Sequence, residues 1–247
     1  VALAMKFNSL ALFLANQKTA PFLYPLYTSE PSTHTLFESK TNMALNVMRN
    51  DEIMSLDASN LSTFMESGDI TAVQLMQATL ARVHQLNPTY RAIINLAPDD
   101  VLLEKAQQAD ESPRRGWLHG IPIAIKDLSN VKDFPTTLGG SPLVDHDVVS
   151  DTSDDFCQHL MDAGAIVIGK TNTPEHGLGS HTFNSKWGTT INPYCSSHEY
   201  KTAGGSSGGA AVAVATRMLC LADGSDMMGS LRNPAAWNNI YSHRPTS

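Results

Sequence analysis

The sequence lacks the patterns that mark most metal-binding, disulfide-bonded and membrane proteins. Its three cysteines, Cys157, Cys195 and Cys220, are widely spaced, and no Cys or His pair has the spacing of zinc ligands. No apolar run approaches the roughly 20 residues of a membrane-spanning helix. Acidic residues outnumber Lys and Arg by 24 to 17, without a basic cluster. These absences argue against a metal site, a membrane span and a nucleic-acid-binding surface, and free thiols favour a reducing compartment such as the cytoplasm.

The composition is that of a folded domain preceded by an extension. The chain has 247 residues, 42% of them hydrophobic, which is enough for one large α/β domain or two small ones. Residues 1–50 are rich in Ser and Thr, and Lys6 stands ahead of a short apolar stretch that makes a weak targeting signal. We predict that residues 1–50 form an N-terminal extension, disordered or targeting-like, outside a folded domain at 51–247.

Hydrophobic periodicity predicts alternating helices and strands in that domain. The second predicted helix is the clearest: Thr71 can cap it, and Asn87-Pro88 is expected to end it. The predicted helices are 57–68, 71–87, 98–110, 151–164 and 210–216. The predicted strands are 92–96, 121–125, 165–170 and 218–222. This order indicates an α/β fold, in which the last strand delivers residues 223–230 to the edge of a sheet.

The stretch "GGSSGG" at 204–209 allows more than one interpretation. It contains two overlapping G-x-S-x-G patterns, centred on Ser206 and Ser207, as in the nucleophile elbow of α/β-hydrolases. The partners of such an elbow would be Asp223, Asp226 and His243. The elbow needs an apolar strand directly before it, and "SSHEYKTA" is too polar to be one. A phosphate-binding P-loop fits less well, because no Gly-Lys-Ser/Thr follows the glycines.

A second interpretation joins Lys126, Ser206 and Ser230 in one site. A serine hydroxyl is a weak nucleophile until a base takes its proton, and a lysine is such a base when burial lowers its pKa. Lys126 ends an Ile-rich strand, where burial is expected. Ser206 would relay the proton, and backbone N–H groups ahead of Ser230 would stabilise an oxyanion. Taken singly, the three residues read as a strand-end lysine, a loop serine and a helix N-cap, so only their combination points to catalysis.

The combination resembles the amidase signature family. "GGSSGGAAVAVA" and "ADGSDMMGSLRNPA" match the family pattern G-G-S-S-G-G, a small-residue helix and G-x-D-x-G-G-S-[IL]-R-x-P-A. Upstream, "GIPIAIKDL" and "GAIVIGKTNTPE" resemble the family's lysine segment and its next strand and loop. The similarity runs from about Asp51 to Ser247. It implies a mixed central sheet flanked by helices, here incomplete at the C-terminal side.

The resemblance also implies a mechanism and a set of site residues. The implied catalytic group is a Ser–cis-Ser–Lys triad. In it, Ser230 would be the nucleophile and Lys126 would be the base. Ser206, which would follow a cis peptide bond, would relay the proton. The implied oxyanion donors are the N–H groups of Met227, Met228, Gly229 and Ser230. The implied supporting residues are Ser207, Asp226 and Arg232, and the implied pocket residues are Gly177, Leu178 and Gly179. The implied reaction hydrolyses a small-molecule carboxylic amide through an acyl-enzyme, without a metal or cofactor.

The sequence departs from the family pattern at two places. Met228 stands where the family has the first glycine of "GGS", so we expect an altered backbone and a side chain directed toward the substrate carbonyl. The loss of one oxyanion donor typically lowers turnover by about 10²–10³. Ser242 replaces a later glycine, and the family chain continues well past the nucleophile. Two alternatives therefore stand beside a stand-alone amidase: a catalytically silent, truncated amidase-like fragment, and the amidase-type subunit of a glutamyl-tRNA amidotransferase.

Overall fold

The computed structural model describes residues 11–14, 48–195 and 200–246, which form a mixed α/β fold. The helices are α1 (Asn50–Ile53), α2 (Ala58–Ser67), α3 (Ala72–Tyr90), α4 (Asp99–Asp110), α5 (Asp155–Asp162), α6 (Gly208–Ala215) and α7 (Arg232–Trp237). The strands are β1 (Ala11–Leu14), β2 (Ile93–Ile94), β3 (Pro122–Lys126), β4 (Ile166–Thr171), β5 (Phe183–Asn184), β6 (Gly188–Thr189), β7 (Leu221–Gly224) and β8 (Tyr241–His243). A 3₁₀ turn lies at Glu175–Gly177.

The described strands form two three-stranded sheets and an antiparallel pair of β5 and β6. In one, β4 lies between β3, which is parallel to it, and β2, which is antiparallel. In the other, β1 pairs antiparallel with both β7 and β8. In the first sheet Lys126 is paired with Thr171, so the carboxyl ends of β3 and β4 meet at one edge. The polar residues that follow both strands therefore lie close together, which is where parallel α/β sheets usually bind ligands.

The early helices begin as predicted, because their caps are local. Asp57 accepts a hydrogen bond from the Asn60 N–H, and Thr71 forms a capping box with Gln74. The predicted end of α3 at Asn87-Pro88 is wrong, since α3 continues through Pro88 to Tyr90. The Asn87 side chain bonds the backbone of the chain just beyond the helix, and this contact fixes the exit after one further turn.

Two other boundaries differ from the prediction. Ala11–Leu14 lies inside the predicted N-terminal extension, yet it forms the middle strand of the β7-β1-β8 sheet. The rest of that extension up to residue 47 lies outside the described residues. The strand expected at 218–222 begins at Leu221, because Arg217 takes a left-handed φ of 57° and the N–H groups of Met218 and Leu219 return to the Ala213 carbonyl. That turn extends the end of α6 and delays the strand.

One of the two buried hydrophobic clusters closes around α6, which is buried from Gly208 to Val214. The helix lies so close to the chain after β4 that a Cβ at Gly209 would stand 2.4 Å from the Asn172 nitrogen. The Gly209 N–H uses this closeness to donate to the Asn172 carbonyl at 3.1 Å. In the described part of the chain, none of the helices is long and apolar enough to cross a membrane.

Candidate active site

Lys126 is buried at the carboxyl end of β3, with 1% of its surface exposed. Its Nζ lies 2.7 Å from Ser206 Oγ, 2.9 Å from Ser207 Oγ and 2.9 Å from Ser225 Oγ. Three hydroxyl groups thus surround one amine. As an ammonium the amine can donate to all three, and as a neutral amine it can accept a proton from one of them.

Burial lowers the pKa of Lys126 to about 7, against the opposing effects of Asp223 and Asp226, whose negative charges raise it. The cause is the loss of hydration of the charged form. An amine with a pKa near 7 has a substantial neutral fraction at neutral pH, which a base requires. Both the short distances to hydroxyl groups and the lowered pKa therefore suit Lys126 to act as a base.

The two serines of "GGSSGG" reach the lysine from the start of α6. The peptide bond between Gly205 and Ser206 is cis, as the resemblance implies. The loop after β4 passes directly over this bond, since a Cβ at Gly205 would lie 2.7 Å from the backbone nitrogen of His181. Neither serine hydroxyl is hydrogen-bonded to a histidine in the described ranges. The contacts therefore favour the lysine interpretation over a hydrolase elbow.

Ser230 lies beside these serines on a loop that Asp226 holds. The Ser230 carbonyl accepts a hydrogen bond from the Ser207 N–H at 3.0 Å, which fixes its backbone next to the cis bond. Among the described residues, no hydrogen bond joins the Ser230 hydroxyl to Ser206. The structure thus brings Lys126 and Ser206 into direct contact, and places the third predicted residue beside them without that contact.

The Asp226 carboxylate is fully buried and accepts hydrogen bonds from Arg232 Nε at 2.9 Å and Nη2 at 3.0 Å. It also accepts from the N–H groups of Gly229 and Leu231. Burial raises the pKa of Asp226, but these hydrogen bonds outweigh burial, and the net pKa lies well below its usual range. The carboxylate therefore stays ionised, and its hydrogen bonds hold Arg232 and the loop around Ser230 in place.

The predicted oxyanion donors differ in availability. The Gly229 N–H donates to Asp226 Oδ1 at 2.7 Å, so in this structure it is not available to a substrate oxygen. Among described residues, the N–H groups of Met227, Met228 and Ser230 have no protein acceptor. Three of the four predicted N–H groups are therefore free to donate to a ligand, and the N–H of Gly229 instead holds the loop in place.

Met228 does not disturb the backbone in the way the sequence suggests. Its φ is not positive, and the left-handed conformation falls on Gly229, with φ at 113°. The Met228 side chain is 82% exposed, so it points to solvent rather than into the contacts around Lys126. The structure therefore has no left-handed backbone at Met228, and the expected orientation of its side chain toward the site is not found.

The predicted pocket residues form the loop over Ser206, and the first of them is the closest. A Cβ at Gly177 would stand 3.6 Å from Ser206 Oγ, and the residue has a φ of 69°. Leu178 is exposed, and Gly179 packs near Pro174 with a φ of 142°. Gly177 therefore borders the Ser206 hydroxyl directly, while Leu178 and Gly179 lie further along the loop.

Sequence reasoning missed several polar residues around the lysine. Ser225 is the third hydroxyl on Lys126 Nζ, and Asp223 accepts the Lys126 N–H. Buried Lys170 lies 3.8 Å from Asp127, whose carboxylate also accepts from the Thr137 N–H. The available signals were the Ser inside "DGSD" and the Asp directly after the lysine in "IKDL". In the described part of the chain, no cluster of three or more His, Cys, Asp or Glu could hold a metal ion.

A mixed α/β fold that gathers serine hydroxyls around a buried lysine, beside a cis peptide bond, is that of the amidase signature proteins. The model of the amidase family matches residues 74–247. The chain belongs to this family.

Relatives and solved structures agree with that assignment. The chain is 39% identical over 199 residues to a subunit of the glutamyl-tRNA(Gln) amidotransferase of Chloroflexus aurantiacus, covering 79% of this chain and 40% of that protein. It is 34% identical to an acylamidase of Rhodococcus erythropolis, covering 78% and 40%. The peptide amidase of Stenotrophomonas maltophilia superposes with a TM-score of 0.66 at 36% identity, covering 74% and 38%. The chain spans about two fifths of the length of these relatives.

Proposed function

We propose that this protein hydrolyses a carboxylic amide, with Ser230 as nucleophile, Ser206 as proton relay and Lys126 as base. The observation that carries the proposal is the contact of Lys126 Nζ with Ser206 Oγ at 2.7 Å, made by an amine whose pKa is lowered to about 7. A buried lysine with a lowered pKa next to a serine hydroxyl is the arrangement that nucleophilic catalysis requires. The kinship with acylamidase and peptide amidase supports an amide as the substrate.

In the first half-reaction, Ser230 Oγ attacks the amide carbon and forms a C–O bond. The Ser230 proton passes to Ser206 as Ser206 gives its own proton to neutral Lys126. The tetrahedral oxyanion takes hydrogen bonds from backbone N–H groups of Met227, Met228 and Ser230. Collapse breaks the C–N bond, and the proton returns from Lys126 through Ser206 to the leaving nitrogen. The products are ammonia or an amine and an acyl ester on Ser230.

In the second half-reaction, water attacks the ester carbon and gives its proton along the same path to Lys126. Collapse breaks the bond to Ser230 Oγ, which regains a proton and releases the carboxylic acid. The mechanism requires Ser230 Oγ to come within hydrogen-bond distance of Ser206, and catalytic hydrogen bonds commonly tighten only in the substrate complex.

A fluorophosphonate tests this proposal, because an activated serine displaces fluoride from phosphorus and keeps the phosphonyl group. Intact-mass analysis of the wild type should show one adduct. Ser230→Ala should show none, since the attacking oxygen is gone. Lys126→Ala should react at least about 10²-fold more slowly, since general-base catalysis typically contributes 10²–10⁴. The matched control is Ser59→Ala, an exposed serine on α2, which should label like the wild type.

Circular dichroism and a cooperative urea transition establish that each variant is folded before labelling. A folded wild type that takes no adduct contradicts the proposal and supports the catalytically silent alternative. An adduct that persists in Ser230→Ala contradicts the assignment of the nucleophile. Peptide mapping of the labelled wild type then shows which serine reacts.

A second candidate function is release of ammonia from glutamine as the amidase-type subunit of an amidotransferase. The similarity to the glutamyl-tRNA(Gln) amidotransferase subunit, at 39% identity, favours it. Competition distinguishes the two functions. L-glutamine should slow labelling of Ser230 only if the site accepts glutamine, and a simple acyl amide such as hexanamide should slow it only if the site accepts acyl amides.

We also propose a reducing compartment such as the cytoplasm, because Cys157, Cys195 and Cys220 are all unpaired.

A further inference from the structure

Asp223 is a buried carboxylate that the mechanism above does not use. It lies on β7 and is 4% exposed. Its Oδ1 accepts a hydrogen bond from the Lys126 backbone N–H at 2.7 Å. Among the described strands, β3 and β7 belong to different sheets, so no backbone ladder joins them. The Asp223 side chain therefore supplies the hydrogen bond that links the strand of the lysine to the strand that leads to Ser230.

The segment that begins at Asp223 contacts Lys126 at two points, the backbone nitrogen and the side-chain amine. Asp223 binds its backbone nitrogen, and Ser225, two residues later, accepts a hydrogen bond from its Nζ at 2.9 Å. Residues two apart on an extended chain point to the same side, which explains how one short segment makes both contacts. The next residue, Asp226, braces the loop of Ser230. Asp223 is thus the first of three closely spaced anchors between the lysine and the serine.

The charge of Asp223 also acts on the lysine. Burial raises the pKa of Asp223 to about 6, although the Lys126 N–H and the charges of Lys126 and Lys170 oppose this rise. Above that pH the carboxylate is ionised, and its charge favours the protonated form of Lys126. The other charged or titratable groups that act here are Lys170 on β4, its partner Asp127, Cys157 on α5, Asp154 ahead of α5, and Asp226.

We propose that Asp223 is a positioning residue for the base: its carboxylate fixes the backbone of Lys126, and its negative charge favours the protonated form of the amine. This inference rests on the proposed role of Lys126 as a base. The two contributions are separable. An asparagine can keep the hydrogen bond through its amide oxygen while it removes the charge, and an alanine removes both.

Asp223→Asn tests the effect of the charge. The fluorophosphonate labelling rate of the wild type should rise with pH as Lys126 becomes neutral. In Asp223→Asn this rise should move to lower pH by about one unit, because the charge that favours protonated Lys126 is gone. The plateau rate should stay within about threefold. Asp223→Ala should lower the plateau by about ten- to a hundredfold, since small displacements of catalytic groups have effects of this size. The control is Asp100→Asn, an exposed carboxylate on α4, which should leave the profile unchanged.

A titration that does not depend on activity separates this inference from the proposed function. The Cε signal of ¹³C-labelled Lys126, assigned by its disappearance in Lys126→Met, should titrate at lower pH in Asp223→Asn than in the wild type. If the wild type takes no adduct, the proposed function fails, and this titration still decides whether Asp223 acts on Lys126. If labelling occurs and neither the profile nor the Lys126 titration moves in Asp223→Asn, the inference about Asp223 is wrong and the proposed function stands.

The reciprocal measurement applies if Asp223→Asn does not fold. Two interacting groups change each other's titration, so Lys126→Met must raise the pKa of the Asp223 carboxyl above its wild-type value. The Cγ signal of ¹³C-labelled aspartate reports this change. An Asp223 titration that is the same in the wild type and in Lys126→Met overturns the inference.

Discussion

The behaviour of Lys126 follows from a competition between burial and charge. Burial lowers its pKa, while Asp223 and Asp226 raise it, and the balance leaves the value at about 7. The lysine and the two carboxylates come from different parts of the chain. The lysine lies on β3, and the carboxylates lie on β7 and in the loop that follows it. A lysine in the same place without the carboxylates would be neutral at lower pH, and an exposed lysine would stay charged.

Met228 provides a test at the residue scale. Met228 is 82% exposed and its backbone φ is not positive, so replacing it with glycine should raise the reactivity of the site little. We expect Met228→Gly to change the fluorophosphonate labelling rate by less than about threefold, because surface substitutions usually act within about 0.5 kcal/mol. Labelling kinetics followed by intact mass measure this. Met228→Ala is the control for side-chain removal without added backbone freedom, and a tenfold faster Met228→Gly would show that the methionine obstructs the site.

At the scale of elements, the closeness of α6 to β4 decides where Ser206 lies. Ser206 and Ser207 stand directly before α6, and the helix is fixed by the hydrogen bond from the Gly209 N–H to the Asn172 carbonyl after β4. Only a residue without a Cβ permits this approach. The glycines of "GGSSGG" therefore serve packing in addition to the conformation of the loop.

Gly209→Ala should destabilise the protein, although alanine is the better helix former by about 1 kcal/mol. The added Cβ would stand 2.4 Å from the Asn172 nitrogen and 2.6 Å from the Ala92 oxygen, both of them backbone atoms. Overpacking of this kind costs about 1–3 kcal/mol. Urea denaturation measures the change in the free energy of unfolding.

Ala210→Gly, one residue along in the same helix, is the matched control. It should lose about 1–2 kcal/mol, because glycine is the poorer helix former and the buried methyl group of Ala210 is removed. Both substitutions should therefore destabilise, for opposite reasons. A Gly209→Ala variant more stable than the wild type would contradict the close approach of α6 to the chain after β4.

At the scale of the whole molecule, buried titratable groups make stability depend on pH. The folded pKa of Lys126, about 7, lies below its unfolded value of 10.5, so the unfolded chain binds more protons between these two values. The free energy of unfolding contributed by this group therefore rises with pH above about 7. Asp223 acts in the opposite direction at lower pH, because its folded pKa of about 6 lies above its model-peptide value of 3.8, so its contribution falls as pH rises between the two.

Lys126→Met should remove the rise that Lys126 contributes. The three cysteines are the same in both proteins, so their ionisation cancels in the comparison. Between pH 7 and 8.5 the stability of the variant should rise by up to about 1 kcal/mol less per pH unit than that of the wild type. Urea denaturation at a series of pH values measures the two slopes. The exposed Lys132→Met is the control, and its slope should equal that of the wild type. Equal slopes for Lys126→Met and wild type would show that the folded pKa of Lys126 is not lowered.

The sequence by itself determined the features that local physics controls. The caps at Asp57 and Thr71, the buried run of β4 and the small-residue helix α6 depend on neighbouring residues, so periodicity and capping patterns predict them. Motif spacing also singled out Lys126, Ser206 and Ser230 as one set. The end of α3 and the start of β7 were mispredicted, because contacts just outside each element decided them.

Only the tertiary structure decided how the site residues meet. The hydrogen bond of Lys126 to Asp223 joins residues 97 apart, and that to Ser225 joins residues 99 apart, so both depend on which strands become neighbours. The same holds for the Gly229 N–H, which the Asp226 carboxylate occupies, and for Met228, whose side chain the loop directs to solvent. A linear pattern records residue types and spacings, whereas burial and direction are set when distant segments pack together.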